Sequence, residues 1–226
     1  DIFTDSYEPC TYMAVCKDGK MGELQKVSFG TKVAELVGDA DVKAIAIGTK
    51  LYDASAMDLV IEADTQIGNG VITVYSSKCC MIHETEEVLL AERKQSCGKC
   101  TFCREGLIQL HTMVKEITEG QGKKEFTDMM EEIGEAMTFS TPCTMGQTAS
   151  DFAMGSLKYF AGEYEDHIKK KKCANNVCSA FMSIYIDPDL CEGCEECADV
   201  CPADAIEGKS GYIHMIDEFE CTKCGK

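Results

Sequence analysis

The 226-residue sequence has few basic residues and no long apolar run. It contains 22 lysines and arginines against 39 aspartates and glutamates, which gives a formal net charge of −17 at pH 7. No cluster of aromatic residues stands among basic ones, so the composition argues against nucleic acid as a partner. No apolar segment approaches the roughly 18 residues that would span a bilayer. With no signal-peptide pattern either, a cytoplasmic protein is predicted, whose acidic surface suits basic redox partners.

A glycine-rich nucleotide-binding motif is also missing. No GxGxxG sequence or equivalent run of glycines precedes a helix, and the GNG at residues 68–70 is only a turn. The sequence therefore predicts no FMN or NAD site and no catalytic residue on this chain. If this chain were the whole protein, its electrons would have to come from another subunit.

Cysteine, by contrast, is abundant, with sixteen residues. In a reducing compartment such thiolates hold metal rather than a framework of disulfides. Cys97, Cys100 and Cys103 are each separated by two residues, and Cys143 follows in a loop between helices. Three closely spaced thiols and a distant fourth form the ligand set of a [4Fe–4S] cluster. A zinc site would more often use two CxxC pairs, and a disulfide pair is the other alternative.

A second cysteine run lies in the last fifth of the sequence and ends in Cys-Pro. Its spacing is that of bacterial ferredoxins, in which the first three thiolates hold one cluster and the fourth ligates the other. The predicted ligands are Cys191, Cys194 and Cys197 for the first cluster, and Cys201, Cys221 and Cys224 for the second. The third cysteine of the second run would follow Lys226, so we expect the native chain to continue with it and with a later Cys-Pro.

The strands flanking this run are predicted to pair, namely Met182–Ile186 with Tyr212–Ile216. His214 is interpreted as a strand side chain rather than a ligand. Between the two cysteine regions, His167, Cys173 and Cys178 fall within twelve residues. They offer three ligands of a possible zinc site, and free cysteines in a linker are the alternative.

Elsewhere the pattern of apolar residues predicts a small mixed sheet followed by a helical bundle. The predicted strands are Tyr12–Val15, Leu24–Phe29, Ala44–Ile47 and Val71–Tyr75, with a helix over 31–37 capped by Thr31. The predicted bundle helices are Glu84–Gln95, Glu105–Glu119, Lys124–Phe139 and Ala149–Lys170. Thr148 and Asp151 offer a capping box for the last of these helices.

The run from Gln95 to Gly106, completed by Cys143 and Gly146-Gln147-Thr148, closely resembles the iron–sulfur module in the NADH-binding flavin subunit of respiratory complex I. The same module occurs in electron-bifurcating hydrogenases and related dehydrogenases. There a ubiquitin-like β-grasp domain precedes the module, and an FMN- and NADH-binding domain lies ahead of both. The resemblance also implies Cys80 as the fourth zinc ligand at a hinge, with Cys79 as the alternative.

These observations predict an α+β protein. The expected parts are a small ubiquitin-like β-grasp domain at 1–78, a four-helix iron–sulfur bundle at 79–172, a linker with a zinc hinge at 173–181, and a ferredoxin-like βαβ domain, apparently truncated, at 182–226.

The expected function is single-electron transfer through [4Fe–4S] clusters, one in the bundle and two in the ferredoxin domain. The chain would serve as a non-catalytic subunit of a multisubunit anaerobic oxidoreductase, with a flavin subunit or a soluble ferredoxin as a possible redox partner. The first alternative is the electron-exit half of an NADH-oxidising flavin subunit. The second is a non-redox, zinc-rich docking scaffold.

Overall fold

The computed structural model describes residues 8–17, 19–182 and 184–224, which form two compact units, Asp1–Cys178 and Ser179–Lys226. The first unit combines a sheet with a set of helices, and the second consists of short elements around its cysteines. The fold class is α+β, as predicted. The finer division of the first unit at residue 78 stays a prediction.

The first unit opens with a sheet of short strands. They are β1 (Cys10–Lys17), β2 (Lys20–Met21), β3 (Gln25–Ser28), β4 (Thr31–Lys32), β5 (Ala44–Ile47), β6 (Lys50–Asp53), β7 (Val60–Ile61) and β8 (Val71–Tyr75). The strand order of the main sheet is β2-β1-β8-β5-β6, and β3 also pairs with β1. β1 and β8 run parallel, whereas the other pairings are antiparallel. A central parallel pair made by the first and last strands is the arrangement of a β-grasp sheet.

The helices are α1 (Val33–Val37), α2 (Met81–Gln95), α3 (Thr101–Thr118), α4 (Phe126–Ser140), α5 (Thr144–Thr148), α6 (Asp151–Tyr159), α7 (Ala161–Ile168) and α8 (Glu196–Asp199). The prediction that Thr31 caps α1 is wrong, because Thr31 lies in β4 and donates its hydroxyl to the carbonyl oxygen of Ser28 at 2.7 Å. Lys32 precedes the helix instead, and its N–H donates to the Glu35 carboxylate at 3.4 Å.

The two faces of β5 explain how the sheet is joined to the helices. Its isoleucines are buried in a core that also contains the apolar residues of α1. Its alanines face the opposite way and pack with Met81 of α2 and Phe152 of α6. Small side chains allow a close approach, and a Cβ on Gly155 of α6 would overlap the carbonyl oxygen of Leu51. The sheet therefore packs directly on the helices within one unit.

The last bundle helix was predicted as one segment, and that prediction is wrong. Phe160 leaves the helical conformation, with φ −121° and ψ 28°, and separates α6 from α7. The break accompanies a buried hydrogen bond between the hydroxyls of Ser156 and Tyr164 at 3.2 Å. It also gives α7 a direction of its own, which matters for the metal site below.

The predicted capping box at the start of the same segment does not form. The hydroxyl of Thr148 donates to the carbonyl oxygen of Thr144 at 3.0 Å. The carboxylate of Asp151 accepts from Thr49 at 3.0 Å, so it contacts the sheet region rather than the helix end. A tertiary contact has replaced the local one that the sequence favoured.

In the second unit, β9 (Ile206–Glu207) and β10 (Met215–Ile216) form an antiparallel pair. The predicted pairing of Tyr212–Ile216 with Met182–Ile186 is wrong among the described residues, and Ser183 lies outside them. A short connection brings β9 and β10 together, and neighbouring strands in sequence commonly pair in this way. The predicted βαβ order is thus replaced by α8 followed by a hairpin.

Candidate metal centres

The structure brings four buried side chains together at the start of the bundle: Cys80, His167, Cys173 and Cys178. Their ligand atoms all lie within 4.8 Å of one another. Cys80 immediately precedes α2, and His167 lies in the last turn of α7. The two other cysteines follow α7 in a short loop. Residues distant in the sequence therefore meet in one small volume.

The measured edges of this group fit a tetrahedron around one ion. Cys80 Sγ lies 3.7 Å from Cys178 Sγ, and each sulfur lies 3.4 Å from Nε2 of His167. Zinc bonds of about 2.3 Å to sulfur and about 2.0–2.1 Å to nitrogen give tetrahedral edges of about 3.8 Å and about 3.6 Å. Three thiols and one imidazole are also a common donor set of structural zinc. The residues present therefore fit the ion, although the ligand roles remain a prediction.

A second layer of contacts orients the imidazole. The Nδ1–H of His167 donates to the carbonyl oxygen of Glu163 at 2.8 Å, which leaves Nε2 to face the sulfur atoms. The Glu163 carboxylate accepts from the N–H of Met81 at 3.0 Å and pairs with Lys43 at 2.6 Å. Lys43 also donates to the side-chain oxygen of Asn175 at 3.1 Å. The sheet, both helices and the cysteine loop are thus linked around the group.

The electrostatics of the group favour a negative sulfur at its centre. Hydrogen bonds from Cys178 and from His167 lower the pKa of Cys80 well below its ordinary value. The same contact with Cys80 raises the pKa of Cys178, because two adjacent thiolates repel each other. Burial alone would lower the pKa of His167, but the bond to Cys80 and its charge raise it to about 9. A divalent cation would take the place of the shared protons.

The cysteines predicted for the bundle cluster lie at helix ends. Cys97 and Cys100 lie in the loop before α3, Cys103 in the first turn of α3, and Cys143 just before α5, which packs against α3 and α4. Cys103 is buried, Cys100 is half-buried, and the two others are exposed. The N–H groups at the start of α3 favour negatively charged sulfur beside them.

These cysteines lack the compactness of a single-ion site. Apart from the four-residue group above, no three His, Cys, Asp or Glu ligand atoms in the described part of the chain lie within 4.8 Å of one another. A single ion draws its donors together, whereas four irons hold their thiolates at the outer corners of a cube. All sixteen cysteines are free thiols, so the disulfide alternative does not describe the structure.

Two basic side chains near the bundle motif are already engaged. Arg104 donates to the carbonyl oxygen of Gly98 and pairs with Glu105, both at 2.8 Å, so it fixes the loop between the first two motif cysteines. Of the two roles weighed for Arg104, the salt bridge is the one present. Arg93 lies 2.7 Å from Nδ1 of His111, which is buried between α2 and α3. His111 is therefore a packed side chain, as predicted.

In the second unit the cysteines predicted for the second cluster line one cavity. Its volume is about 310 Å³ and most of its remaining walls are apolar. The lining residues are Ile184, Cys197, Val200, Cys201, Pro202, Ala205, Ile206, Ile216, Cys221, Lys223 and Cys224. The N–H of Ala205 donates to the sulfur of Cys201 at 3.3 Å. Sulfur donors around an apolar cavity suit an iron–sulfur cluster.

The cysteines predicted for the first cluster lie in the loop before α8 and within that helix. Gly193, between the first two of them, has φ +71°, and a Cβ there would lie 2.7 Å from the backbone nitrogen of Tyr212. The N–H of Gly211 donates to the carbonyl oxygen of Gly193 at 2.9 Å. The cysteine loop is therefore held directly against the segment that leads to β10.

Comparison with known proteins assigns the cysteine regions. Residues 84–167 match the family described as the NADH-ubiquinone oxidoreductase-F iron–sulfur binding region. Residues 184–207 match the family described as a 4Fe–4S binding domain. The chain is homologous to the C-terminal region of the flavin subunits that carry both modules. The recognition made from the motif at Cys97–Cys103 and Cys143 is confirmed.

The similar proteins include hydrogenase and quinone-reductase subunits. The NADP-reducing hydrogenase subunit HndC of Solidesulfovibrio fructosivorans is 35% identical over 148 residues, or 66% of this chain and 30% of that protein. The F subunit of the NADH-quinone oxidoreductase of Streptomyces coelicolor is 30% identical over 111 residues, or 49% of this chain and 25% of that protein. The chain thus spans less than a third of the length of either relative.

A solved structure supports the fold. The crystal structure of an NAD⁺-reducing [NiFe]-hydrogenase in the H₂-reduced state matches 74% of this chain and 30% of the hydrogenase chain, with a TM-score of 0.66 and 18% identity. Within residues 8–17, 19–182 and 184–224, no helix has both the length and the hydropathy needed to cross a membrane.

Sequence analysis missed the residues that support the four-ligand group. Lys43, Glu163 and Asn175 come from separate segments, and no motif connects them. Lys43 lies 36 positions from the Cys79 carbonyl that accepts its second hydrogen bond, at 2.6 Å. Only the folded chain shows that these polar groups belong to the site.

Proposed function

We propose that this chain is an electron-transfer component of a multisubunit oxidoreductase. It would hold one [4Fe–4S] cluster with Cys97, Cys100, Cys103 and Cys143, and two clusters in the second unit. Such clusters supply one-electron redox chemistry when bound. The chain's own residues would hold the clusters, exclude water and adjust the potentials. Neither a catalytic residue nor a bond-making step on this chain is part of the proposal.

The observation that best supports this proposal is the cavity of about 310 Å³ lined by Cys197, Cys201, Cys221 and Cys224. Its apolar walls and sulfur donors match the needs of an electron carrier better than those of a hydrolytic metal, which requires an open, water-accessible position. The homology of residues 84–167 to an iron–sulfur binding region supports the same role for the bundle.

Two features support a zinc ion as a structural part of the same chain. The four buried donors leave no side open to a substrate, which is the character of a structural rather than a catalytic zinc site. The contacts of Lys43 and Glu163 also join the sheet to the bundle at this point. Zinc here would hold the ends of the bundle together.

The partners we propose are other redox subunits, because the relatives named above are subunits of larger enzymes. A second candidate role is the electron-exit part of an NADH-oxidising flavin subunit. It is favoured by the similarity to the Streptomyces coelicolor protein, of which this chain covers only 25%. The NADP-reducing and NADH-quinone activities belong to those named proteins, and the donor and acceptor here are to be determined by experiment.

The test is elemental and spectroscopic. Anaerobically purified native complex would be assayed for iron, zinc and flavin, and its reduced clusters examined by EPR. We expect about twelve iron atoms and about one zinc ion per chain. Flavin bound to the polypeptide that contains this sequence would favour the second candidate. Zinc in place of iron, without visible absorbance, would overturn both and favour the docking scaffold.

A further inference from the structure

The second unit contains an internal repeat. An Ile-Asp pair followed by Cys-x-x-Cys occurs twice, starting at Ile186 and again at Ile216. The residue before the second cysteine of each pair is left-handed in both copies, with φ +71° at Gly193 and +51° at Lys223. Corresponding positions in the two copies therefore have corresponding backbone.

The hydrogen bonds of the two copies also agree. The N–H of Cys191 donates to the carbonyl oxygen of Asp187 at 3.0 Å, and the N–H of Cys221 donates to that of Asp217 at 2.9 Å. In each copy the aspartate carboxylate accepts from the N–H two residues later, at 2.9 Å and 2.8 Å. The repeat is thus structural as well as sequential.

The repeat makes Ile184 and His214 equivalent, since each lies two residues before its isoleucine. Ile184 lines the cavity of the second cluster, which is formed by cysteines of the other copy. By the same relationship, His214 belongs beside the first cluster's cysteines. Its own N–H lies 3.5 Å from the sulfur of Cys191, which agrees with that placement.

His214 is buried, with 2% of its surface exposed, yet neither ring nitrogen has a hydrogen-bond partner among the described residues. The ring lies so close to Gly208 that a Cβ there would overlap it. A buried imidazole without a partner calls for an explanation, and a cofactor that accepts its hydrogen bond is one such explanation. A cluster held by Cys191 and its neighbours offers sulfur acceptors at this place.

We propose that the imidazole of His214 donates an N–H hydrogen bond to a sulfur of the first cluster of the second unit. This inference rests on the proposed function. Hydrogen bonds to sulfur stabilise the more negative, reduced cluster and raise its reduction potential. Ile184 has no donor to give the second cluster. The two clusters would then differ in potential, with the first made easier to reduce by His214.

The experiment compares His214→Leu, which removes the donor, with His214→Gln, which retains an N–H donor. EPR-monitored redox titration of the anaerobic complex measures each midpoint potential, and the first cluster's signal is identified by its loss in Cys194→Ala. We expect a lower potential for that signal alone in the leucine variant and a smaller shift in the glutamine variant. Iron content should stay unchanged in both.

The equivalent position provides the matched variant. Ile184→His should raise the potential of the second cluster's signal, whereas Ile184→Leu should leave it unchanged. An unaltered first-cluster potential in His214→Leu at full iron content would overturn the inference. Iron lost from both His214 variants would also overturn it, because it would make the residue a ligand or a packing element. A native complex without iron would instead refute the proposed function itself.

Discussion

The Nδ1–H of His167 and the carbonyl oxygen of Glu163 are 2.8 Å apart, four residues along the same helix. A carbonyl oxygen can only accept, so this bond fixes the imidazole tautomer with Nε2 directed at the sulfur atoms, where it can bind a metal. The same glutamate uses its carboxylate to receive Lys43 and the N–H of Met81. One residue thus orients a candidate ligand and joins the bundle to the sheet.

The first prediction separates two adjacent cysteines. Cys80→Ser should release about one zinc ion per chain, because Cys80 Sγ is one corner of the tetrahedral group. Cys79→Ser should retain the ion, since its sulfur instead lies 3.9 Å from the hydroxyl of Ser76. Zinc and iron are measured together by mass spectrometry. Equal zinc in both variants would contradict the assignment, and unchanged iron is the control.

The second prediction concerns the bundle cluster. Cys100→Ala should remove about four iron atoms per chain and one EPR signal, because a cube with three thiolates is readily lost. Signals of the second unit should persist. The matched control is Cys16→Ala, since Cys16 lies in β1 outside every cysteine motif. If Cys100→Ala and the control contain the same iron, Cys100 is not a ligand.

The third prediction compares two helical glycines at different packing densities. Gly155→Ala should destabilise the protein by about 1–3 kcal/mol, because its Cβ would overlap the backbone oxygen of Leu51. Gly162→Ala should stabilise it by about 0.5 kcal/mol, since nothing lies within 4 Å and alanine favours a helix.

Urea unfolding of the metal-loaded protein, followed by circular dichroism, measures both free energies of unfolding. Comparable destabilisation by the two substitutions would mean that helix α6 does not pack against Leu51 as closely as described. The iron and zinc contents of both variants serve as the check that the sites are intact.

The fourth prediction is a pH dependence at Glu92, which lines a cleft of about 450 Å³ between the sheet and the helices. Burial raises the pKa of this carboxyl. The folded chain therefore binds the proton more tightly than the unfolded chain, and stability falls as the pH rises from about 4.3 through the raised value. Above that window the cost of the charged group is constant.

Glu92→Gln removes this titration. Relative to the native protein, the variant should gain stability as the pH rises across the window, and the gain should then level off. Unfolding in urea at several pH values measures the difference, with Glu125→Gln as the exposed control. A difference between Glu92→Gln and the native protein that does not change with pH would refute the burial argument.

Local signals allowed much of this structure to be predicted. The strands at Ala44–Ile47 and Val71–Tyr75 have the predicted bounds because each is an apolar run between turns. The helices around Cys97–Cys103 follow the spacing of apolar residues. Four distant candidate ligands converge in the structure because a motif and a family resemblance had already connected them.

The errors arose where a tertiary contact prevailed over a local preference. Asp151 contacts Thr49 instead of capping its helix. Phe160 interrupts a continuous apolar stripe, and a buried bond between Ser156 and Tyr164 forms across the break. His214 looked like an ordinary strand residue because only the internal repeat and its burial show what it faces.

The sulfur atoms of Cys80 and Cys178 lie 3.7 Å apart although the residues are separated by 98 positions. An ion held between them would close almost the whole first helical region into a loop, as a long-range cross-link does. During synthesis the last donor leaves the ribosome only after every bundle helix and every cysteine of the bundle motif. Metal capture at this group would therefore be a late event, and it would report that the bundle has been made in full.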